Sequence, residues 1–111
     1  WYIGALQPST GVRAPLERHA GPLEHWAVYE NHTPAGATEA LAEVGAVDLV
    51  VLTSPSAASR YAAMSGDTAV PAAVIGEATA RAARDAGLQV CAQPEVPGTE
   101  ALAAAVVAAL V

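Results

Sequence analysis

Lysine and phenylalanine are absent from this chain of 111 residues, and cysteine and methionine occur once each. One cysteine, Cys91, forms no intramolecular disulfide. It sits in an apolar stretch with no adjacent base to activate it, so its expected place is the core. Basic charge is scarce: five arginines stand against eleven acids, a net charge of −6. That balance argues against the diffuse positive surface that non-specific nucleic-acid binding requires, so no nucleic-acid partner is expected. Long hydrophobic runs are missing too. The longest, Ala101 to Val111, has about half the ~20 residues of a membrane span, and no basic segment followed by an apolar stretch opens the chain. No membrane partner is expected, and the chain reads as soluble and cytoplasmic.

Apolar residues make up 53% of the chain and charged ones 14%, against a usual charged share of about 25%. A disordered tail or a solvated charge array is thereby excluded. The length suits one domain with one core. The first residue is Trp1 rather than methionine, inside what reads as a β-strand, and a preceding segment is expected. Alanine, roughly a quarter of the residues, lowers the specificity of every local pattern.

Apolar runs of strand length alternate with helical patterns, separated by Gly, Pro, Ser and Thr, which is the signature of βαβ units. A strand over Trp1 to Leu6, a turn through Gln7, Pro8, Ser9 and Thr10, a helix over Val12 to His19 and a strand over Trp26 to Tyr29 form the first unit. After the polar linker Glu30 to Pro34, Thr38 is read as the cap of a helix through Val44, with Leu41 and Val44 inward and Gly45 closing it. Asp48 to Thr53, DLVVLT, predicts a strand buried on both faces of a parallel sheet. Ser54 then caps a helix toward Met64, with Pro55 at its first position. Ala72 to Ile75 is a fourth strand, Glu77 to Ala86 a helix stopped by Gly87, and Leu88 to Ala92 a fifth strand. Thr99 caps a last helix with Leu102, Val106 and Leu110 on one face. The predicted fold is α/β, a flavodoxin-like doubly wound parallel sheet of about five strands.

In such a sheet, ligands bind beyond the carboxyl ends of the strands, where helix N-termini offer free N–H groups. That rim holds Gln7 to Thr10, Tyr29 to His32, Thr53 to Ser56, Gly76 to Thr79 and Gln93 to Thr99. Rich in hydroxyls and poor in charge, it suits carboxylates or phosphates held by amides and Ser/Thr hydroxyls. Ser54, Thr79 and Thr99 also read simply as helix caps. No G-x-S-x-G elbow, no phosphate loop ending in lysine and no full G-x-G-x-x-G is present. His19, His25 and His32 fit no zinc spacing and read as solvated or packing residues. The phospho-receiver arrangement fails, since Gln7 and Thr53 stand where acids are needed. Ser9-Thr10-Gly11 matches a flavin phosphate loop only weakly, and Trp26 reads as strand core.

Four segments in order, VYEN (Val28 to Asn31), DLVVLTSPSAASRY (Asp48 to Tyr61), AVIGEATARAARDAGLQV (Ala73 to Val90) and TEALAAAVVAAL (Thr99 to Leu110), resemble the C-terminal half of uroporphyrinogen-III synthase. The resemblance runs from about Arg13 to Leu110. It implies a lyase of tetrapyrrole and haem biosynthesis that closes hydroxymethylbilane into uroporphyrinogen III, with loss of water and inversion of ring D. It implies neither metal nor organic cofactor, and a route through an azafulvene cation and a spiro intermediate. Tyr29 matches the family's tyrosine proposed to assist departure of the terminal hydroxyl. Ser54, Ser56, Gly76 and Thr79 match its substrate-facing turns, where amides and hydroxyls would hold the acetate and propionate carboxylates. A Pro-Arg-Gly-like turn usual after the first strand is replaced by Gln7-Pro8-Ser9-Thr10, leaving Arg13 as the nearby base.

The family has two such domains with the site between them, and its chain crosses between domains just after the Val-Tyr strand. The resemblance therefore implies that the 111 residues are one α/β unit of a longer chain, with residues 33–111 the main portion. Residues 1–30 would pack with a second domain or in trans, the partner being the missing half of the enzyme or a segment-exchanged homodimer. Half of such a cleft is expected to catalyse little, and the alternative reading is a non-catalytic flavodoxin-like module binding an anionic ligand or a partner chain.

Overall fold

In the computed structural model, residues 1–8 and 10–111 are described. They gather into two compact units, Trp1–Thr33 and Pro34–Val111. Five strands and five helices alternate along the chain, and every strand pairing is parallel. The expected single sheet of five strands is found as two sheets, β1-β2 and β3-β4-β5.

The first unit contains β1 (Tyr2–Ala5), α1 (Thr10–Ala20) and β2 (His25–Tyr29). The strands run in register from Tyr2↔His25 to Gly4↔Ala27, and a bulge then sets Ala5 opposite Tyr29. On α1, Arg13 Nε lies 2.9 Å from Glu17 Oε1, a stabilising pair one turn apart. Gly21, at φ 80°, ends the helix in the left-handed region where a side chain would be strained. Ser9, part of the expected turn, lies outside the described residues. No described residue of this unit is fully buried. Trp26, expected in the core, is 47% exposed and stacks on Trp1 with ring centroids 5.1 Å apart. Two strands and one helix supply too little surface to cover both faces of a parallel pair.

The second unit contains α2 (Ala37–Glu43), β3 (Val50–Leu52), α3 (Pro55–Ser65), β4 (Ala72–Val74), α4 (Glu77–Asp85), β5 (Val90–Ala92) and α5 (Thr99–Leu110). Parallel register sets Val50 opposite Ala72 and Leu52 opposite Val74. α3 and α4 pack on each other, and alanines at the contact let their backbones approach closely. The core is Leu52, Ala58, Ala72, Val74, Ala80, Ala83 and Leu88. By strand alternation Ala73 points to the opposite face, where α5 lies against β4 and β5 and buries Leu102.

That layering corrects several expectations. β4, the middle strand, is the one buried on both faces, whereas Val51 of the edge strand β3 is 47% exposed. Cys91 is exposed, because β5 is the other edge, and its Sγ lies 3.5 Å from the Ala72 carbonyl. Ser54 caps α3 as expected, accepting from the Ala57 N–H at 3.1 Å. Thr38 and Thr99 do not cap: the cap residues are Gly36 and Gly98, and neither helix start has a side-chain cap bond. Val44 is 61% exposed rather than inward, and Leu110 is 57% exposed at the end of α5.

Candidate functional site

Parallel pairing sends the carboxyl ends of β3, β4 and β5 to one side, and the Ile75 N–H donates to the Leu52 carbonyl at 3.2 Å where β3 and β4 finish. Ser54 and Gly76, the cap residues of α3 and α4, therefore start two mutually packed helices on the same rim. Ser56 joins Ser54 there, their hydroxyl oxygens 3.2 Å apart. Ser56 is exposed and Ser54 partly so, which leaves both hydroxyls open to a ligand.

Gly76 and Thr79 occupy different surroundings. A side chain built on Gly76 would meet Pro97 Cγ at 3.2 Å, so the loop after β5 lies over the start of α4. Gly76 is itself buried, with an extended backbone that any residue adopts, and closeness to Pro97 is what favours glycine there. Thr79 is 3% exposed, one turn into α4, with its side chain on the packed side and not on the rim.

The electrostatics of the helix starts separate them further. A helix N-terminus carries partial positive charge that an acidic side chain in the first turn offsets. Such residues are present in α2 (Glu39), α4 (Glu77) and α5 (Glu100), whereas α3 has none. Glu77 is engaged as well, its Oε2 lying 3.4 Å from Gln93 Nε2 and its Oε1 3.9 Å from Arg84 Nη1. An incoming carboxylate in this unit thus meets the Ser56 amide and the paired Ser54 and Ser56 hydroxyls at α3, where Pro55 has no N–H and the Ala57 N–H is taken by Ser54, but an existing carboxylate at the other three. Gln93 and Pro97 were expected on the rim only as members of a loop. Glu77 at the first position of a predicted helix was the one sequence signal for this closure of α4.

In the first unit, Tyr29 ends β2 and is 61% exposed. Its carbonyl accepts from the Leu6 N–H at 2.8 Å, which fixes the backbone and leaves the ring directed outward at the strand's carboxyl end. Arg13 lies on α1 with its Nε committed to Glu17, so its terminal nitrogens are the donors left for a ligand. Beyond Tyr29, His32 Nε2 and Glu30 Oε2 lie 3.1 Å apart. The histidines do not converge: among the described residues no group of His, Cys, Asp and Glu is arranged to hold a metal. No helix among them is long and apolar enough to cross a membrane.

Tyr29 and Arg13 thus belong to the first unit, and Ser54, Ser56, Gly76 and Thr79 to the second. The family model described as uroporphyrinogen-III synthase HemD matches residues 3–104. No curated protein and no solved structure matches the chain.

Proposed function

This chain belongs to the uroporphyrinogen-III synthase family, and from that premise we propose that it serves the family's reaction, cyclising hydroxymethylbilane to uroporphyrinogen III with loss of water. The observation that carries the reading is the start of α3, where Ser54 and Ser56 present hydroxyls beside a helix N-terminus free of acidic residues. A substrate with many carboxylates needs such places, and charge-assisted bonds from amides and hydroxyls hold a carboxylate without lysine.

In this reading Ser54 and Ser56 bind carboxylates, Gly76 lets Pro97 close over the start of α4, and Thr79 acts through the packing that anchors α4. Arg13 offers its terminal nitrogens to a further carboxylate. Tyr29 donates a hydrogen bond, or its proton, to the terminal hydroxyl, so that the C–O bond breaks and water leaves. The azafulvene cation is then attacked by the substituted α-carbon of ring D to give the spiro intermediate; one bond of that centre breaks and re-forms at the other α-carbon, which inverts ring D, and loss of a proton restores the pyrrole. No metal or organic cofactor enters the proposal. The two parallel sheets are read as portions of flavodoxin-like domains, and the reaction as cytoplasmic.

The test is cyclisation of enzymatically generated hydroxymethylbilane, with the type III and type I isomers separated, for this chain and the full-length gene product side by side. Type III product is expected, with a rate lowered by about 100-fold in Tyr29→Phe if proton donation is its role. Spontaneous type I product alone, from both polypeptides, would overturn the reading and leave a non-catalytic module that binds an anionic ligand or a partner.

A further inference from the structure

One histidine contact in the first unit has no part in the chemistry described so far. Successive residues of β1 and β2 alternate faces, so Ile3 and Trp26 share one face while Tyr2, Gly4 and His25 share the other. On that second face the rings interlock. Those of Tyr2 and His25 meet edge-on with centroids 5.4 Å apart. A side chain on Gly4 would meet the Tyr2 ring at 3.1 Å, so glycine leaves the room in which that ring lies. The Tyr2 ring in turn restricts the half-buried His25, whose Nε2 lies 2.9 Å from the Ala5 carbonyl oxygen. A carbonyl only accepts, so Nε2 carries the proton.

Where that bond falls gives it a consequence. His25 stands opposite Tyr2 at the start of the strand pairing, and Ala5 stands opposite Tyr29 at its end. Between them the register shifts: Gly4 faces Ala27 and Ala5 faces Tyr29, which makes Val28 the extra residue on β2. A bulge disrupts the ladder locally and re-aims the side chain beside it. Here that side chain is Tyr29. The shifted end is fixed by the Leu6 N–H, which donates to the Tyr29 carbonyl at 2.8 Å, and by His25 Nε2, which donates to the carbonyl of the adjoining Ala5. Val28 and Tyr29 are 62% and 61% exposed, so side-chain packing within this unit does little to hold Tyr29. Hydrogen bonds to the backbone take that part instead.

We propose that His25 is a positioning residue for Tyr29: its Nε2–H holds the Ala5 carbonyl at the register shift and so sets the strand end from which Tyr29 presents its hydroxyl. Tyr2, seated over Gly4, keeps the imidazole in place. His25 touches no reacting atom. The proposal rests on the reading of Tyr29 as donor to the departing hydroxyl, and its test separates the two.

In the full-length gene product, His25→Phe keeps a ring against Tyr2 and removes the donor, while His25→Gln keeps a donor of similar reach and removes the ring. His25→Phe is expected to lower kcat about tenfold with KM unchanged, and His25→Gln to stay within about twofold of wild type. Added to Tyr29→Phe, His25→Phe is expected to cost nothing further, because a residue that acts through Tyr29 is silent once the hydroxyl is gone. A full additional loss in that background, a rise in KM alone, or a His25→Gln variant as slow as His25→Phe would each overturn the proposal. Amide exchange of the Leu6 N–H reads positioning without catalysis. His25→Phe is expected to speed it about tenfold and His25→Gln to restore it, with the Ala80 N–H, bonded to the Gly76 carbonyl in the second unit, unmoved. If no type III product forms from any of these proteins, the synthase reading fails, and exchange at Leu6 still decides whether His25 holds the strand end; an unchanged rate overturns that. Should His25→Phe unfold, the ring nitrogen shifts of wild-type His25, taken where the imidazole is neutral, decide. The Nε2–H tautomer supports the bond, and the Nδ1–H tautomer refutes it.

Discussion

The first unit and the second use the same parts, parallel strands joined by helices, and only the second makes a core of them. Every fully buried residue of the described chain lies in Pro34–Val111, while Trp1–Thr33 holds its larger aromatic residues at the surface. Three strands create a middle one, and a middle strand has both its faces and both its edges available for cover. Two strands create only edges. Small side chains do the rest: Ala72, Ala73 and Val74 bring helices close on both faces of β4, whereas Val28 stays exposed and Trp26 is half-exposed in its stack with Trp1. Side-chain size therefore decides less than the number of neighbours on offer.

The contrast breaks most sharply at Val74, which is fully buried. Val74→Asp places an unpaired charge in the core and is expected to cost more than about 4 kcal/mol. The second unit should then unfold, read as loss of helical circular dichroism and of slow amide exchange across residues 34–111.

A matched pair of truncations measures the same difference. Leu52→Ala in the core is expected to lower stability by about 2–5 kcal/mol. Ile3→Ala in the first unit, at 60% exposure, is expected to change it by about 0.5 kcal/mol or less. Urea titration of both variants checks this. Equal losses would mean that the first unit is as well packed as the second.

The smallest expected effect separates two helix starts within the second unit. Ser54→Ala removes a cap bond made in the structure and is expected to cost about 1 kcal/mol. Thr99→Ala removes a hydroxyl that caps nothing and should be nearly neutral, as read from the thermal midpoints of the two variants.

Much of this was legible beforehand. All ten elements lie where periodicity and punctuation put them, within a few residues, because Gly, Pro and Ser act locally: Gly87 at φ 84° ends α4, and Ser54 with Pro55 starts α3. The family was legible from four short segments in order, and the family match over residues 3–104 agrees. Caps assigned to Thr38 and Thr99 failed because a glycine stands just before each helix and takes the cap position itself. Burial was the weaker reading. DLVVLT is the clearest strand in the sequence and was expected to be buried on both faces, yet it lies at an edge, and AAV lies in the middle; an apolar run does not encode a strand's rank within a sheet.

The same limit governs the candidate site. Ser54, Ser56, Gly76 and Thr79 were all assignable to the ends of strands, since a parallel βαβ arrangement sends those ends to one rim. Which of them face a ligand depends on events one turn away. Thr79 rotates into the core, Pro97 settles on Gly76, and Gln93 reaches Glu77. The sequence by itself determined the order of elements, their parallel pairing and the family, because these follow from short-range stereochemistry and repeated apolar spacing. Only the tertiary structure decided that the strands fall into two sheets, that Cys91 and Val51 lie on edges, and that α3 alone in its unit begins with open hydroxyls and no acid. Those depend on which segments distant in the chain become neighbours, and no local pattern carries that information.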